Sequence, residues 1–172
     1  AFLLNRSSDL DLIVFVLRTG IQWKALPKEY GSSSSVHRYF QKWAKEGLFL
    51  KLWKKGLAEY DEMEGIAWRW QSIDGCITKA PTAQESVGHN PTIGEKNGSK
   101  RHILVDEHGV PLSIVVTGAN RHDVTQVEAV LKSRVRKPRG KTKQNLCADA
   151  GHQGKESEET MKKYRYTPHI RP

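Results

Sequence analysis

Two aspartates, Asp74 and Asp149, stand where a carboxylate is costly unless something positive faces it. Asp74 interrupts a run with the composition of a β-strand. Ile73 and Ile77 are β-branched, Thr78 extends the run and Pro81 stops it. Aspartate is a poor strand former, and burying its charge without a partner is expensive. A metal ion or a cationic group would remove that cost. Asp74-Gly75 is also a hairpin-turn signal, and on this stretch alone the turn is the better reading. Residues 144–154, QNLCADAGHQG, reverse the balance. Here Asn145–Ala148 reads as a short buried strand, Asp149 ends it and a glycine-containing loop follows. Carboxylates on two strands, the second at a carboxyl end, suit a divalent cation held on a mixed sheet.

The elements that must position this pair follow from periodicity. Ser8 before Asp9-Leu10-Asp11 is an N-cap signal, and Leu10, Ile13, Val14 and Leu17 recur at helical spacing up to Gly20. Val36–Lys45 is a second helix, burying Val36 and Phe40 and turning His37, Arg38 and Lys42 outward, with Ser32–Ser35 as a turn and cap before it. Leu48–Glu59 is a third, with Leu48, Leu52, Trp53 and Leu57 inside. Three short helices with glycine turns fit a helix-turn-helix-like module that presents Arg38, Lys42, Lys45 and Lys51 to phosphates, and equally a small packing bundle. The acidic stretch ending at Glu64 and Gly65 marks a boundary between residues 1–64 and 65–172. Beyond Asp74's strand, residues 81–98 form a Pro- and Gly-rich loop. Lys100–Asp106 and Val110–Thr117 pair as a hairpin around Glu107-His108-Gly109. Asp123 with Gln126 has the form of a capping box opening a helix through Val127, Val130 and Leu131. A polar helix over Gly154–Tyr164 and a fifth strand over Tyr166–Ile170 close the order. That order gives an α/β (α+β) domain: a ribonuclease-H-like mixed sheet with helices on both faces.

Composition points the same way. The chain has 172 residues and a formal net charge of +9, a balance that favours a polyanionic partner. Residues 132–143 carry Lys132, Arg134, Arg136, Lys137, Arg139, Lys141 and Lys143 without one acid, a backbone-binding patch or a solvated loop. Cys76 and Cys147 fall in the two aspartate-bearing strands, with no zinc spacing, and read as reduced and buried. The longest apolar run, Leu12–Leu17, is too short to span a bilayer, and no signal peptide is recognisable, so a cytosolic protein is expected. The chain begins without Met and stops just after an apparent strand, which reads as part of a longer protein.

Several stretches resemble bacterial insertion-sequence transposases of the DDE type, in the insertion-sequence-five group. They are residues 17–23 with Leu26-Pro27, then Ser72-Ile73-Asp74-Gly75, Gly88–Thr92 with Gly98–Asp106, Thr117–Asp123 and Leu146–Gly151. The resemblance implies Mg²⁺- or Mn²⁺-dependent DNA cleavage and strand transfer by in-line phosphoryl substitution. It places Asp74 between two ions and Asp149 on one of them. The partners it implies are double-stranded DNA, as element ends and target, and a second copy of the chain in a synaptic complex.

Further residues take expected roles from their places. Lys100, Arg101 and His102 would clamp the scissile phosphate or only guard a sheet edge. Arg136, Lys137 and Arg139 would contact DNA, and Asn120 and His122 would orient groups at the site or shape a helix entry. His152 stands where such proteins often carry an aromatic. The third acid of the family, a glutamate on a later helix, has no counterpart before Pro172, which implies loose ion binding and no strand transfer by this stretch alone. A DNA-binding regulator of transposition and another ribonuclease-H-like metal nuclease are the alternatives.

Overall fold

The computed structural model describes residues 4–80, 85–89, 97–140 and 142–171, with the side chains of residues 4–8 and 30 left aside. Most of the loop expected over 81–98, Asn90–Thr92 of the signature stretch and Lys141 lie outside the described residues. The chain divides into two units, Ala1–Gly56 and Leu57–Pro172. The division falls inside a helix, ahead of the acidic stretch ending at Glu64.

The first unit holds α1 (Leu4–Thr19), two 3-10 turns at Trp23–Ala25 and Lys28–Tyr30, α2 (Ser33–Lys45) and the start of α3 (Leu48–Met63). Gly20 ends α1 with φ +69°, a conformation that favours glycine, and its N–H donates to the Val16 carbonyl at 2.8 Å. Ile13, Val16, Leu26 and Val36 form the core, flanked by Trp23, Phe40 and Phe49. Two expectations change here. Val14 and Leu17 on α1, and Leu52 on α3, are exposed rather than inside. The run Leu12–Leu17 is apolar all round, so its periodicity does not single out the face that meets α2. His37 turns inward, its ring 5.0 Å from that of Trp23.

The second unit is built on β1 (Trp70–Lys79). β1 pairs antiparallel with β3 (Asn97–Asp106), and β3 with β4 (Pro111–Gly118) and the two-residue β2 (Gly88–His89). On its other edge β1 runs parallel to β5 (Gln144–Ala148), which runs parallel to β6 (Tyr166–Ile170). Leaving β2 aside, the order β4–β3–β1–β5–β6 is the ribonuclease-H-like arrangement that the sequence implies. Asp74-Gly75 is therefore mid-strand, not a turn. The hairpin between β3 and β4 is fixed by Asp106, 1% exposed, whose carboxylate accepts the His108, Val110 and Ala67 N–H groups. Buried satisfaction of this kind is what makes an interior carboxylate tolerable.

Ile73, Leu104 and Ser113 are register partners on one face, and the Ser113 hydroxyl donates to the Val130 carbonyl of α4 (Val127–Lys132). α5 (Lys155–Lys163) packs on α4 and β6. Both crossover helices thus share a face, where helices on both faces were expected. The opposite face exposes Ser72, Asp74 and Cys76 of β1 with Ile114 and Val116 of β4. For the same reason the cysteines are not buried: Cys76 is exposed and Cys147 half-buried, both free thiols. Strand alternation gives two faces but not which of them a helix covers.

α3 is tied down at its end by Asp61, whose carboxylate accepts the Ile66 N–H at 3.1 Å and Arg136 Nε at 2.6 Å. Partial burial pushes this carboxyl up, but the Ile66 and Arg136 donors outweigh it and its pKa lies below the usual value. A depressed carboxyl stabilises the fold above its unfolded-state pKa and loses that contribution as pH falls through the folded value. Asp61→Asn is therefore expected to cost about 2 kcal/mol at neutral pH. In urea melts at stepped pH, the gap to wild type should close below about pH 4. A gap that persists at low pH contradicts this.

Candidate active site

The parallel pairing of β1 and β5 aligns Trp70 with Asn145, Gln71 with Leu146 and Ser72 with Cys147. Asp74 and Asp149 each lie two positions past that last pair, so they stand at the same end of the β1–β5 ladder and, by alternation, on the same open face. Both line a cleft of about 700 Å³ together with Trp70, Ser72, Cys147, His169 and Arg171.

Each carboxylate is partly oriented. Asp74 Oδ1 accepts the Gly75 N–H at 2.7 Å, which turns the carboxylate along the strand and leaves Oδ2 to the cleft. Asp149 Oδ1 lies 2.6 Å from Nδ1 of His152. A carboxylate only accepts, so Nδ1 carries the hydrogen and donates. His152 is 1% exposed while the Asp149 side chain is 64% exposed, so an inner imidazole holds an outer acid. The 3-10 turn Ala150–His152 makes this possible by folding the chain back directly after β5. His152, which stands where such proteins often carry an aromatic, is thus placed beside Asp149.

Among the described residues no group of three His, Cys, Asp or Glu side chains is gathered for a metal. The pair nevertheless fits Mg²⁺ or Mn²⁺, which is commonly held by one or two carboxylates with water and substrate phosphate completing the shell. Arg171, which the sequence reading passed over, brings a cation to the cleft; its N–H extends the β6 pairing by donating to the Ala148 carbonyl.

The other expected site residues separate into those that face solvent and those that do not. Lys100 and His102 do not form a surface clamp. Their positions on β3 fall on the helix-covered face: Lys100 is 9% and His102 0% exposed. Lys100 Nζ donates to Asp123 Oδ2 at 2.7 Å, and His102 Nδ1 stands 3.1 Å from Asp123 Oδ1. Burial lowers the His102 pKa, the Asp123 charge works against that, and Lys100 adds to it; the net shift is downward, towards a neutral ring. Arg101, between them, is exposed and donates to Thr78 Oγ1. Arg136 is engaged with Asp61, whereas Lys137 and Arg139 are exposed. Lys137 borders a second, basic cleft of about 690 Å³ with Arg134, Lys143, Lys163 and Arg165, at the opposite end of the parallel strands. Arg38 and Lys42 are exposed on α2, Lys42 near Glu46.

Asn120 sits in a notch made by two glycines: a Cβ on Gly88 would stand 2.1 Å, and one on Gly118 2.7 Å, from its Oδ1. It therefore anchors β2 to the end of β4 rather than reaching the aspartates. His122 is exposed and precedes the 3-10 turn Asp123–Gln126, offering its carbonyl to Thr125. The capping box expected from Asp123 and Gln126 does not form, because the Asp123 carboxylate is turned onto Lys100 and His102. Asp123, like Arg171, takes a role beyond the one its local sequence suggests. Its signal was present: it ends the specific stretch Thr117–Asp123, but a local cap explained it too easily.

A family model described as "Transposase DDE domain" matches residues 70–172. A second, described as "Putative transposase of IS4/5 family", matches residues 5–53. The chain is 51% identical over 41 residues to the "Putative transposase for insertion sequence element IS402" of Burkholderia cepacia, a match covering 24% of this chain and 19% of that protein. It is 32% identical over 91 residues to the "Insertion element IS402 uncharacterized 16.2 kDa protein" of the same organism, covering 52% of this chain and 61% of the relative. The chain thus spans under two thirds of the length of each of these curated relatives. Among solved structures, "Mos1 transposase paired-end complex with left transposon end" aligns with 93% of this chain and 57% of its own, at 11% identity and a TM-score of 0.41.

Proposed function

The chain belongs to the DDE-domain transposases of the IS4/5 family, and from that premise we propose that it carries the two-aspartate part of a site that cleaves and joins DNA at insertion-sequence ends. The observation behind this is the placement of Asp74 and Asp149 at equivalent positions of adjacent parallel strands, on one open face and in one cleft. When bound, a Mg²⁺ or Mn²⁺ ion supplies Lewis acidity to the attacking and leaving oxygens of an in-line phosphoryl transfer. Asp74 offers Oδ2 to that ion, since Oδ1 already accepts the Gly75 N–H. Asp149 offers the oxygen that His152 does not occupy. Arg171 faces a phosphate entering the cleft. Water is the first nucleophile and the freed 3′-hydroxyl the second, so no side-chain nucleophile is required. Double-stranded DNA is the substrate, and two copies of the protein hold paired ends.

Phosphate oxygens complete the shell of an ion held by few carboxylates. At fixed ionic strength, Mn²⁺ is therefore expected to tighten binding of duplex DNA bearing an insertion-sequence end. That increment should vanish in Asp74→Asn and in Asp149→Asn. An equal Mn²⁺ effect in wild type and both variants overturns the reading.

The DNA contacts divide by what each cation already touches. Log affinity should fall linearly with log salt, with a slope of about −0.9 per phosphate contacted. Replacing Lys137 and Arg139 by Ala should reduce that slope by about 2, one contact each. Arg136→Ala, whose guanidinium is held by Asp61, should leave the slope unchanged. A flattening from Arg136→Ala as large as from the other pair contradicts this division.

A further inference from the structure

Asp123 lies on the covered side of the sheet, yet its carboxylate comes up against the strand that carries Asp74 and lies near the turn that follows Asp149. A Cβ on Gly75, the residue after Asp74, would stand 2.1 Å from Asp123 Oδ1 and 3.5 Å from His102 Nδ1. A Cβ on Gly151, two residues after Asp149, would stand 3.5 Å from Asp123 Oδ2 and 3.3 Å from Asp149 Oδ1. Gly75 is thus a recess that admits the Asp123 carboxylate, whose other oxygen lies at ordinary contact distance from the Cβ position of Gly151. That carboxylate is itself fixed. Lys100 Nζ holds Oδ2 at 2.7 Å, His102 faces Oδ1 at 3.1 Å, and His102 is braced from behind by Thr117 Oγ1, 2.9 Å from Nε2.

Burying Lys100 and Asp123 together is not a cheap source of stability. Desolvation of the two charges roughly offsets their attraction, and an apolar pair of similar size often serves as well. A buried ion pair of this kind is better explained by the position it fixes. Here the position fixed is the gap between the Asp74–Gly75 strand segment and the Asp149–Gly151 turn.

We infer that Asp123 is a positioning residue for the metal site: held by Lys100, faced by His102 and lodged in the Gly75 recess beside the Gly151 turn, it sets the separation and orientation of Asp74 and Asp149. This rests on the reading of those two aspartates as metal ligands. Asp123 does not itself line the cleft: it lies on the covered side of the sheet, where Lys100 Nζ holds its Oδ2. Partners that hold metal ligands in place commonly alter metal affinity 10- to 100-fold when removed, and that is the size of effect assigned to it.

The test uses two variants and two readouts. Asp123→Asn removes the charge at nearly constant shape. The double variant Asp123→Leu, Lys100→Met replaces the ion pair by an apolar pair. Mn²⁺ affinity is measured by electron paramagnetic resonance of the free ion, and amide exchange of Gly75 and Gly151 by NMR without metal. The expected result is a loss of Mn²⁺ affinity of about tenfold or more and faster exchange at both glycines. In the double variant these changes should persist although its melting temperature stays near that of wild type. Wild-type affinity and exchange in the double variant overturn the inference, as does failure of both variants to fold, which leaves Asp123 a purely structural role. Mn²⁺ binding that Asp74→Asn leaves unchanged overturns instead the metal-site reading beneath it.

Discussion

The parallel pairing of β1 with β5 is the constraint on which the rest of the sheet unit depends. The two strands share three registered pairs, and a slip of one residue would send Asp74 and Asp149 to opposite faces. So short a ladder needs pinning from outside, and the buried polar groups supply it. Tyr166 donates its hydroxyl to Gln71 Oε1 at 2.6 Å, and Gln71 Nε2 donates to Gln144 Oε1 and to the Trp68 carbonyl. Arg134 closes the set by donating to the Tyr166 hydroxyl from above its ring. Burial pushes the Tyr166 pKa up, with Arg134 and Gln71 opposing it, so the phenol stays a donor. At the edge, Asn145 gives both its backbone N–H and its side-chain amide to the Arg69 carbonyl. A one-residue slip would leave several of these groups buried without partners, a penalty of about 1–3 kcal/mol each.

With register fixed, the glycines decide how closely the layers approach. Gly75 admits Asp123; Gly88 and Gly118 admit Asn120. Both side chains come from the single connection that leaves β4, so that connection reaches the strand of one aspartate, the turn of the other and the short strand β2. A Cβ at Gly75, Gly88 or Gly118 would meet one of these oxygens at 2.1–2.7 Å, so these polar side chains fill space that only glycine leaves open. They make sense of why residues 117–123 and the glycines facing them stand in separate stretches of sequence yet act as one structural piece.

Much of this was legible in the sequence. β-branched runs and turn residues located the five long strands to within a few positions, the strand over Asn145–Ala148 that Asp149 ends among them. What escaped was facing. Lys100 and His102 alternate with Arg101 on one strand, and composition suggests that all three meet solvent; only the placing of α4 and α5 on one face turns the outer two inward. The same ambiguity misplaced Cys76 and Cys147. The nearest sequence neighbours of Asp123 suggest a helix cap, whereas the side chains it faces lie 23 and 21 positions away. Local patterns describe local bonds, and a buried ion pair between distant segments leaves no periodic trace. Arg171 was overlooked because its role depends on β6 lying next to β5, which no local pattern fixes.

The central claim is that Asp74 and Asp149 act on one ion. It is tested most directly by a double-mutant cycle on Mn²⁺ affinity with Asp74→Asn, Asp149→Asn and both together. If the two carboxylates share the ion, the single losses are strongly non-additive and the double variant binds little more weakly than either single one. Losses that simply add, or one single variant with wild-type affinity, would show that the two aspartates do not form a common site.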